Sequence, residues 1–457
     1  MTEVSPVQHG IWINELAGAG SAYHMPLVIR LDAPVDEGAL AKACAAVVER
    51  HPLLGMAFAE SDGVPRLVPA QRPPALSREE QPGPFDLARG PLVRFTLAGD
   101  TLRVVAHHAV FDGHSKQVLV TDLLAAYRGE VLPPLPPAGP REAPAGDARA
   151  FWEARWRVPG EVIVPGGLLR SRRAGEGRVL EFPLEVPELD GLTRFEVLMA
   201  ALHAVLAAYG NATVCTAIDL STRTPAEEGH IGPFVNELPL FSEPTPGVPF
   251  ARFAQALRAE LREIYRHRRV PLARAVRGLK PHAALAPVSV SYRRGDDDER
   301  VDWLAFNGAV RGALQLQLLD GRRGIAASLR YDAAELPDPE PVVADLRALL
   351  AKVAGDPSIP LAAPRPVVAD GPATVPAGSA VAVDGDDPLL AGITAIWEEV
   401  LQLSPVEPHD DIFDLGGHSL TITQIIARMR KRLDIEIELD DFFDNPTIAG
   451  VLGVIRR

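Results

Sequence analysis

A mixed α/β protein of two similar halves, followed by a small helical bundle, is what the sequence predicts, and three observations predict it. Over residues 1–363, short apolar runs with period-two alternation interleave with stretches of helical spacing, and they do so twice over comparable lengths. Residues 364–385 are mostly Ala, Pro, Val and Gly with neither period, the composition of a semi-extended linker. Beyond the linker only helical spacing remains. The expected boundaries are a first half at 1–160, a second at 161–363, the linker at 364–385 and the bundle at 386–457. Two α/β layers that face each other leave a cleft between them, the expected place for a substrate.

In the first half, Met25 to Leu31 reads as a strand, and Asp36 and Glu37 open a helix through Val48 that puts Leu40, Cys44 and Val47 on one face. Pro52 ends it, because proline disfavours helical geometry in the residue before it. A strand pair follows at Met56–Ala59 and Pro65–Val68, then a hairpin of Leu92–Leu97 and Leu102–Ala106 turning at Gly99 and Asp100. Ser115 to Arg128 has helical spacing in Val118, Leu119, Leu123 and Tyr127. Prolines from Leu132 to Gly146 mark a surface connector.

A short helix over Ala148–Trp156 leads into the second half: strand Val179–Leu184, helix Thr193–Tyr209, buried strand Ala212–Asp219 and helix Pro249–His267. Strands at Val288–Tyr292, Leu314–Leu319 and Gly324–Tyr331 and a helix at Pro339–Ala354 complete it. The bundle reads as an amphipathic helix Leu389–Leu403, a second at Ser419–Leu433, a short turn at Asp440–Phe443 and a last helix Pro446–Ile455 entered through proline at its first turn. A core of this size is marginal but sufficient at ~70 residues.

With 47% hydrophobic and 23% charged residues the chain has globular composition. It has no run of eighteen apolar residues, and Met1–Gly10 lacks a basic flank before an apolar core, so neither secretion nor membrane spanning is expected. Cys44 and Cys215 lie in apolar stretches without a second ligand at metal spacing; they read as packing residues in a reducing cytoplasm, and no metal site is expected. Of the formal charge of −14, a balance of −9 lies in Asp384–Arg457, where fifteen acidic residues face six basic ones. An acidic small domain is a poor nucleic-acid binder and a plausible partner for basic protein surfaces.

Two motifs carry chemistry. In Ala106-His107-His108-Ala109-Val110-Phe111-Asp112-Gly113, strand alternation aims the two histidines in opposite directions and the Asp-Gly pair breaks the strand, so that one imidazole can reach a substrate at a strand end. Taken alone the pair reads equally as two satisfied histidines at a strand edge. In Asp414-Leu415-Gly416-Gly417-His418-Ser419-Leu420, the glycines permit a turn. Ser419 falls at a helix start, where free amides and the positive dipole end favour phosphate, although a serine there is also an ordinary cap.

These residues carry two resemblances. Asp411 to Leu420 resembles the attachment motif of a peptidyl carrier protein, which implies covalent 4'-phosphopantetheine on Ser419, installed by a phosphopantetheinyl transferase. Residues 1–363 resemble the condensation domain of nonribosomal peptide synthetases, a V-shaped pair of chloramphenicol-acetyltransferase-like halves. Besides the histidine motif, Ser5-Pro6-Val7-Gln8-His9-Gly10-Ile11-Trp12 is similar to the family's opening motif, with Gly10 where Arg is usual. Glu49 to Leu54 is similar to its second motif without the Glu and Arg usual there, and Ile231–Asn236 and His267–Leu272 match later motifs.

The resemblance implies amide formation between an acyl thioester on an upstream donor carrier and an amine. It assigns the active site to His107, His108, Asp112 and Gly113. His108 takes the family's active-site position and either accepts a proton from the attacking ammonium or orients the amine, chemistry suited to imidazole. His107, aimed the other way, is expected to be structural. Asp112 resembles a structural aspartate paired bidentately with Arg223, Gly113 lets its amide face the developing oxyanion, and Asn236 lies on the covering segment. Because only the linker separates the two units, with no adenylation domain between them, the carrier is expected to be loaded in trans by a separate adenylation enzyme. It serves either as acceptor or as donor to a free amine. Epimerization of a carrier-bound residue and a non-catalytic docking role are the alternatives; epimerization domains usually follow their carrier, which this one precedes.

Overall fold

The computed structural model describes residues 2–137, 146–276, 279, 282–295, 298–365 and 387–456. Part of the expected connector at 132–146 and nearly all of the linker at 364–385 lie outside the described residues. The first half is a five-stranded sheet in the order Val301–Asp302, His24–Arg30, Thr101–His107, Val93–Ala98, Leu76–Ser77, antiparallel except for the last pair. Along Thr101–His107, Leu102, Val104 and Ala106 are buried while Arg103 is exposed, the predicted alternation. Each such large side chain taken from water contributes about 1.5–3 kcal/mol. Helices Glu37–Arg50 and Gly113–Tyr127 pack together in this half. The second helix starts two residues earlier than predicted because Asp112 caps it, accepting from the Ser115 amide at 2.7 Å.

The second half is a six-stranded sheet in the order Arg178–Leu184, Gly324–Tyr331, Leu314–Gly321, Val288–Arg294, Val214–Ser221, Val235–Ser242, with two parallel pairs around Val288–Arg294. Helices Arg194–Ala208, Phe250–Arg266 and Glu340–Gly355 accompany it. The strand Val235–Ser242 is absent from the sequence prediction. It contains Pro239, which a sheet tolerates only at an edge, and this strand is the edge. Nor is the division between halves a clean cut in the chain: Val301–Asp302 pairs with His24–Arg30, and Trp303 and Leu304 join the first half's core.

Four helices, Pro388–Leu401, Ser419–Leu433, Leu439–Asp444 and Ile448–Ile455, form the C-terminal bundle around Trp397, Ile425, Phe442 and Leu452. The last helix is not entered through proline. Thr447 caps it, accepting from the Gly450 amide at 2.9 Å, and Pro446 precedes the cap. Among the described residues no helix is long and apolar enough to cross a membrane.

The bundle sits on the hairpin Met56–Ser61/Val64–Pro69 of the first half. Thr423 Oγ1 donates to the Gly63 carbonyl at 2.9 Å, and Lys431 and Arg430 reach Asp62 and Glu60 at 2.9 and 3.7 Å. Here the bundle supplies the cations, the reverse of what its acidic total led us to expect. Arg173 with Asp440, at 3.3 Å, runs the expected way. Net charge does not say where charge sits: four of the bundle's basic residues, Arg428, Arg430, Lys431 and Arg432, lie on one helix.

Candidate active site

The strand Thr101–His107 ends between the two histidines, and their rings go separate ways. His107 is buried; its Nε2 pairs with Glu15 of the opening helix Pro6–Leu16 at 3.0 Å, and its Nδ1 accepts from the Ala109 amide at 3.1 Å. Gln8, from the same helix, donates to the Ala109 carbonyl at 3.1 Å, so the helix holds this loop at two points. His108 is half-buried, its Nδ1 2.7 Å from the Phe111 carbonyl. A carbonyl can only accept, so Nδ1 carries the proton and Nε2 keeps its lone pair. Burial, and then the nearby Arg311, lower the His108 pKa below the ordinary histidine value, which keeps that lone pair free at neutral pH.

Asp112 and Arg223, 111 residues apart, meet as a buried pair. The contact differs from the expected fork: one guanidinium nitrogen, Nη2, spans both carboxylate oxygens at 2.9 and 3.1 Å, while Nη1 serves the Glu227 and His230 carbonyls. Asp112 also accepts from the Ser115 hydroxyl and the Phe234 amide. Its bonds thus tie the motif to the second half and do not reach His108. Gly113 lines the cavity with His108; a Cβ there would lie 2.5 Å from Arg293 Cδ, so any larger residue would have to displace the Arg293 side chain. Asn236 belongs to the edge strand and donates to the Arg268 and Val270 carbonyls at 3.0 and 2.8 Å, joining the two later motifs to each other. Arg50 and His51 of the second motif both bind Asp122 of the helix Gly113–Tyr127, at 2.9 and 2.7 Å.

The cavity beside His108 has a volume of about 130 Å³ and is walled by both halves. Several of its charged residues were not singled out from sequence: Lys116, Arg293, Arg311, Arg330 and Asp219. Behind it, Tyr23 packs edge-on against His108 with ring centroids 5.8 Å apart. Arg311 lies 3.8 Å from Asp219; burial opposes its charge, but Glu237 and Asp219 outweigh that. Burial raises the Glu237 pKa to about 7, Arg311 pulling down and Asp219 pushing up. A period-two pattern places such residues on a strand face, yet nothing in it says that several strands bring their charges to one point.

Ser419 is the first residue of its helix, whose cap is His418, so it is not itself the cap. Among the described residues its hydroxyl makes no hydrogen bond. Gly416, at φ +86°, and Gly417, whose Cβ would lie 2.6 Å from Ile412 Cγ1, make the turn that presents it. It opens on a cavity of about 620 Å³ lined also by His9, Arg66, Arg149 and Arg274. The buried His9 Nε2 has no hydrogen-bond partner there, and burial, with His418 and Arg274, lowers the His9 pKa to about 4. A free hydroxyl at a helix start, among guanidiniums and an unpartnered imidazole nitrogen, fits a phosphodiester.

Comparison with known proteins finds two families along the chain. Residues 1–75 and 177–293 match the family model described as condensation domain, and residues 391–455 match the one described as phosphopantetheine attachment site. The probable non-canonical nonribosomal peptide synthetase CymA of Salinispora arenicola is 28% identical over 427 residues, covering 78% of this chain and 6% of that protein. A plipastatin synthase of Bacillus subtilis is 43% identical over 65 residues, covering 14% of this chain and 2% of its own length. This chain therefore spans a small fraction of these curated relatives. Among solved structures, the condensation domain of the monacolin K polyketide synthase MokA superposes with a TM-score of 0.64 at 18% identity, covering 79% of this chain and 99% of that one, a likeness of fold.

Proposed function

This chain belongs to the condensation-domain family of nonribosomal peptide synthetases and carries a phosphopantetheine attachment domain at its C-terminus, and on that premise we propose that it forms an amide bond. An acyl thioester brought by an upstream donor carrier is joined to an amine held on the chain's own bundle. One observation carries this reading: His108, its Nδ1 proton given to Phe111, turns an unprotonated Nε2 to a cavity between the halves. The amine nitrogen bonds to the thioester carbon and the carbon–sulfur bond breaks. Nε2 takes the proton that the ammonium loses and returns it to the departing thiolate. Gly113 lets the backbone approach the reacting carbonyl, and Asp112, locked by Arg223, fixes the loop. His107 and Gln8 anchor that loop to the opening helix.

Phosphopantetheine bound at Ser419 would supply a thiol that holds the amine substrate as a thioester, and His9, Arg66, Arg149 and Arg274 are the residues placed to hold its phosphate. The opening helix supports the bundle as acceptor, since His9 lines the Ser419 cavity while Gln8, its neighbour, holds the loop beside His108. We propose loading of the bundle in trans by a separate adenylation enzyme, after a phosphopantetheinyl transferase has modified it.

The test is product formation from loaded donor and bundle. His108→Ala is expected to lower the amide yield about 10²–10⁴-fold, and an unchanged yield would remove the reading. Because the His108 pKa is lowered, the imidazole stays neutral into mild acid, so the acid limb of the rate profile should fall below pH 6.5, the ordinary histidine value.

A further inference from the structure

Three cations in the His108 cavity rest on neutral carbonyls. Lys116, from the helix Gly113–Tyr127, donates to the Trp303 carbonyl at 2.8 Å. Arg293, from the strand Val288–Arg294, donates to the Gly113 and Trp303 carbonyls at 2.7 and 3.2 Å. Arg330, from the strand Gly324–Tyr331, donates to the Leu304 and Ala305 carbonyls at 2.8 and 3.0 Å. Among the described residues none of the three has a carboxylate within ion-pair distance. Asp112 is committed to Arg223, and Asp219 to Arg311. Lys116 and Arg330 are 3% and 6% exposed, and Arg330 Nε is buried without any partner.

Asp302 acts on Lys116 and Arg330, Glu181 on Arg330 and Asp112 on Arg293, but from beyond ion-pair distance, and burial outweighs them. Cations out of water whose direct partners are neutral carbonyls cost free energy that hydrophobic residues of the same size would not cost. Burial accordingly draws Lys116 well below its ordinary range, and Arg293 and Arg330 to about 10. The arrangement is favourable once an anion enters, because the same low dielectric that penalises the lone cations strengthens their attraction to it. A carboxylate presents two coplanar oxygens, which suits guanidinium donors and an ammonium converging from three elements. The phosphate of the swinging arm sits at the opposite end of that arm from the thioester. A group held in the same cavity as the reacting imidazole therefore belongs to the acyl or amine part.

We infer that this cavity selects a substrate bearing a carboxylate besides its reacting group, held by Lys116, Arg293 and Arg330. The inference rests on the condensation reading above, and the structure leaves the carboxylate to be carried by either the acyl donor or the amine.

Calorimetry with soluble mimics separates these sources. The donor pair is N-acetylglutamyl and N-acetylglutaminyl thioesters of N-acetylcysteamine; the acceptor pair is the corresponding aminoacyl thioesters without the acetyl group. Wild type is expected to bind the carboxylate member of one pair at least tenfold tighter than its amide, and the pair that shows this names the source. Lys116→Met and Arg330→Met should bring the carboxylate to the affinity of the amide. Equal binding of acid and amide in both pairs by wild type overturns the inference without recourse to any variant, and so does a preference that survives both substitutions. Since binding is read apart from turnover, loss of amide synthesis would defeat the condensation reading alone.

Discussion

His107 and His108 are chemically the same residue, and their neighbours separate them. Glu15 and the Ala109 amide occupy both nitrogens of the first, whereas a single carbonyl occupies one nitrogen of the second and leaves the other to the cavity. A similar asymmetry governs Asp112, whose carboxylate is satisfied on every side and whose partner Arg223 is 6% exposed. Removing one member of such a pair strands the other charge out of water, at a cost of about 3–5 kcal/mol. Arg223→Met is therefore expected to lower the unfolding free energy by about that amount, measured by urea denaturation followed through tryptophan fluorescence. A loss under about 1 kcal/mol, the value of an exposed pair, would mean that Asp112 finds enough compensation in Ser115 and Phe234.

At the scale of elements, the hairpin Met56–Pro69 is the seat of the bundle, and its tip has no room for a side chain. Gly63 has φ +80°, a region that costs other residues about 1–2 kcal/mol, and a Cβ there would lie 2.4 Å from the Thr423 carbonyl oxygen. Gly63→Val is expected to unseat the helix Ser419–Leu433. Hydrogen exchange should show reduced protection of that helix and of the hairpin, and amide formation from a bundle-held amine should fall about tenfold or more, as for a misplaced reactant. A free soluble amine should react as with wild type. Equal slowing of both amines would place the effect in the first half's folding and not in docking.

On the scale of the whole molecule, the chain joins the proposed reaction cavity to a phosphopantetheine attachment domain, in which Ser419 is the proposed point of attachment. Incubation with coenzyme A and a phosphopantetheinyl transferase is expected to add one phosphopantetheine to the intact protein and none to Ser419→Ala, by mass spectrometry; the same addition to both would move the attachment elsewhere. Much of this design is legible along the chain. Alternation and helical spacing place the longer strands and most helices within a few residues, because local period reports which face is buried, but they miss the opening helix Pro6–Leu16, the edge strand Val235–Ser242 and the short strands such as Ala309–Arg311. The two motifs announce their turns through glycine and aspartate. What the chain alone does not reveal is every feature that joins distant segments. The strand Val301–Asp302 crosses to the first half's sheet, Asn236 ties two motifs to each other, and an acidic bundle presents its basic helix to an acidic hairpin. The convergence of Lys116, Arg293 and Arg330 belongs with these. Periodicity encodes burial one element at a time, whereas which charges meet depends on how elements far apart in sequence pack in three dimensions, and only the tertiary structure decides that.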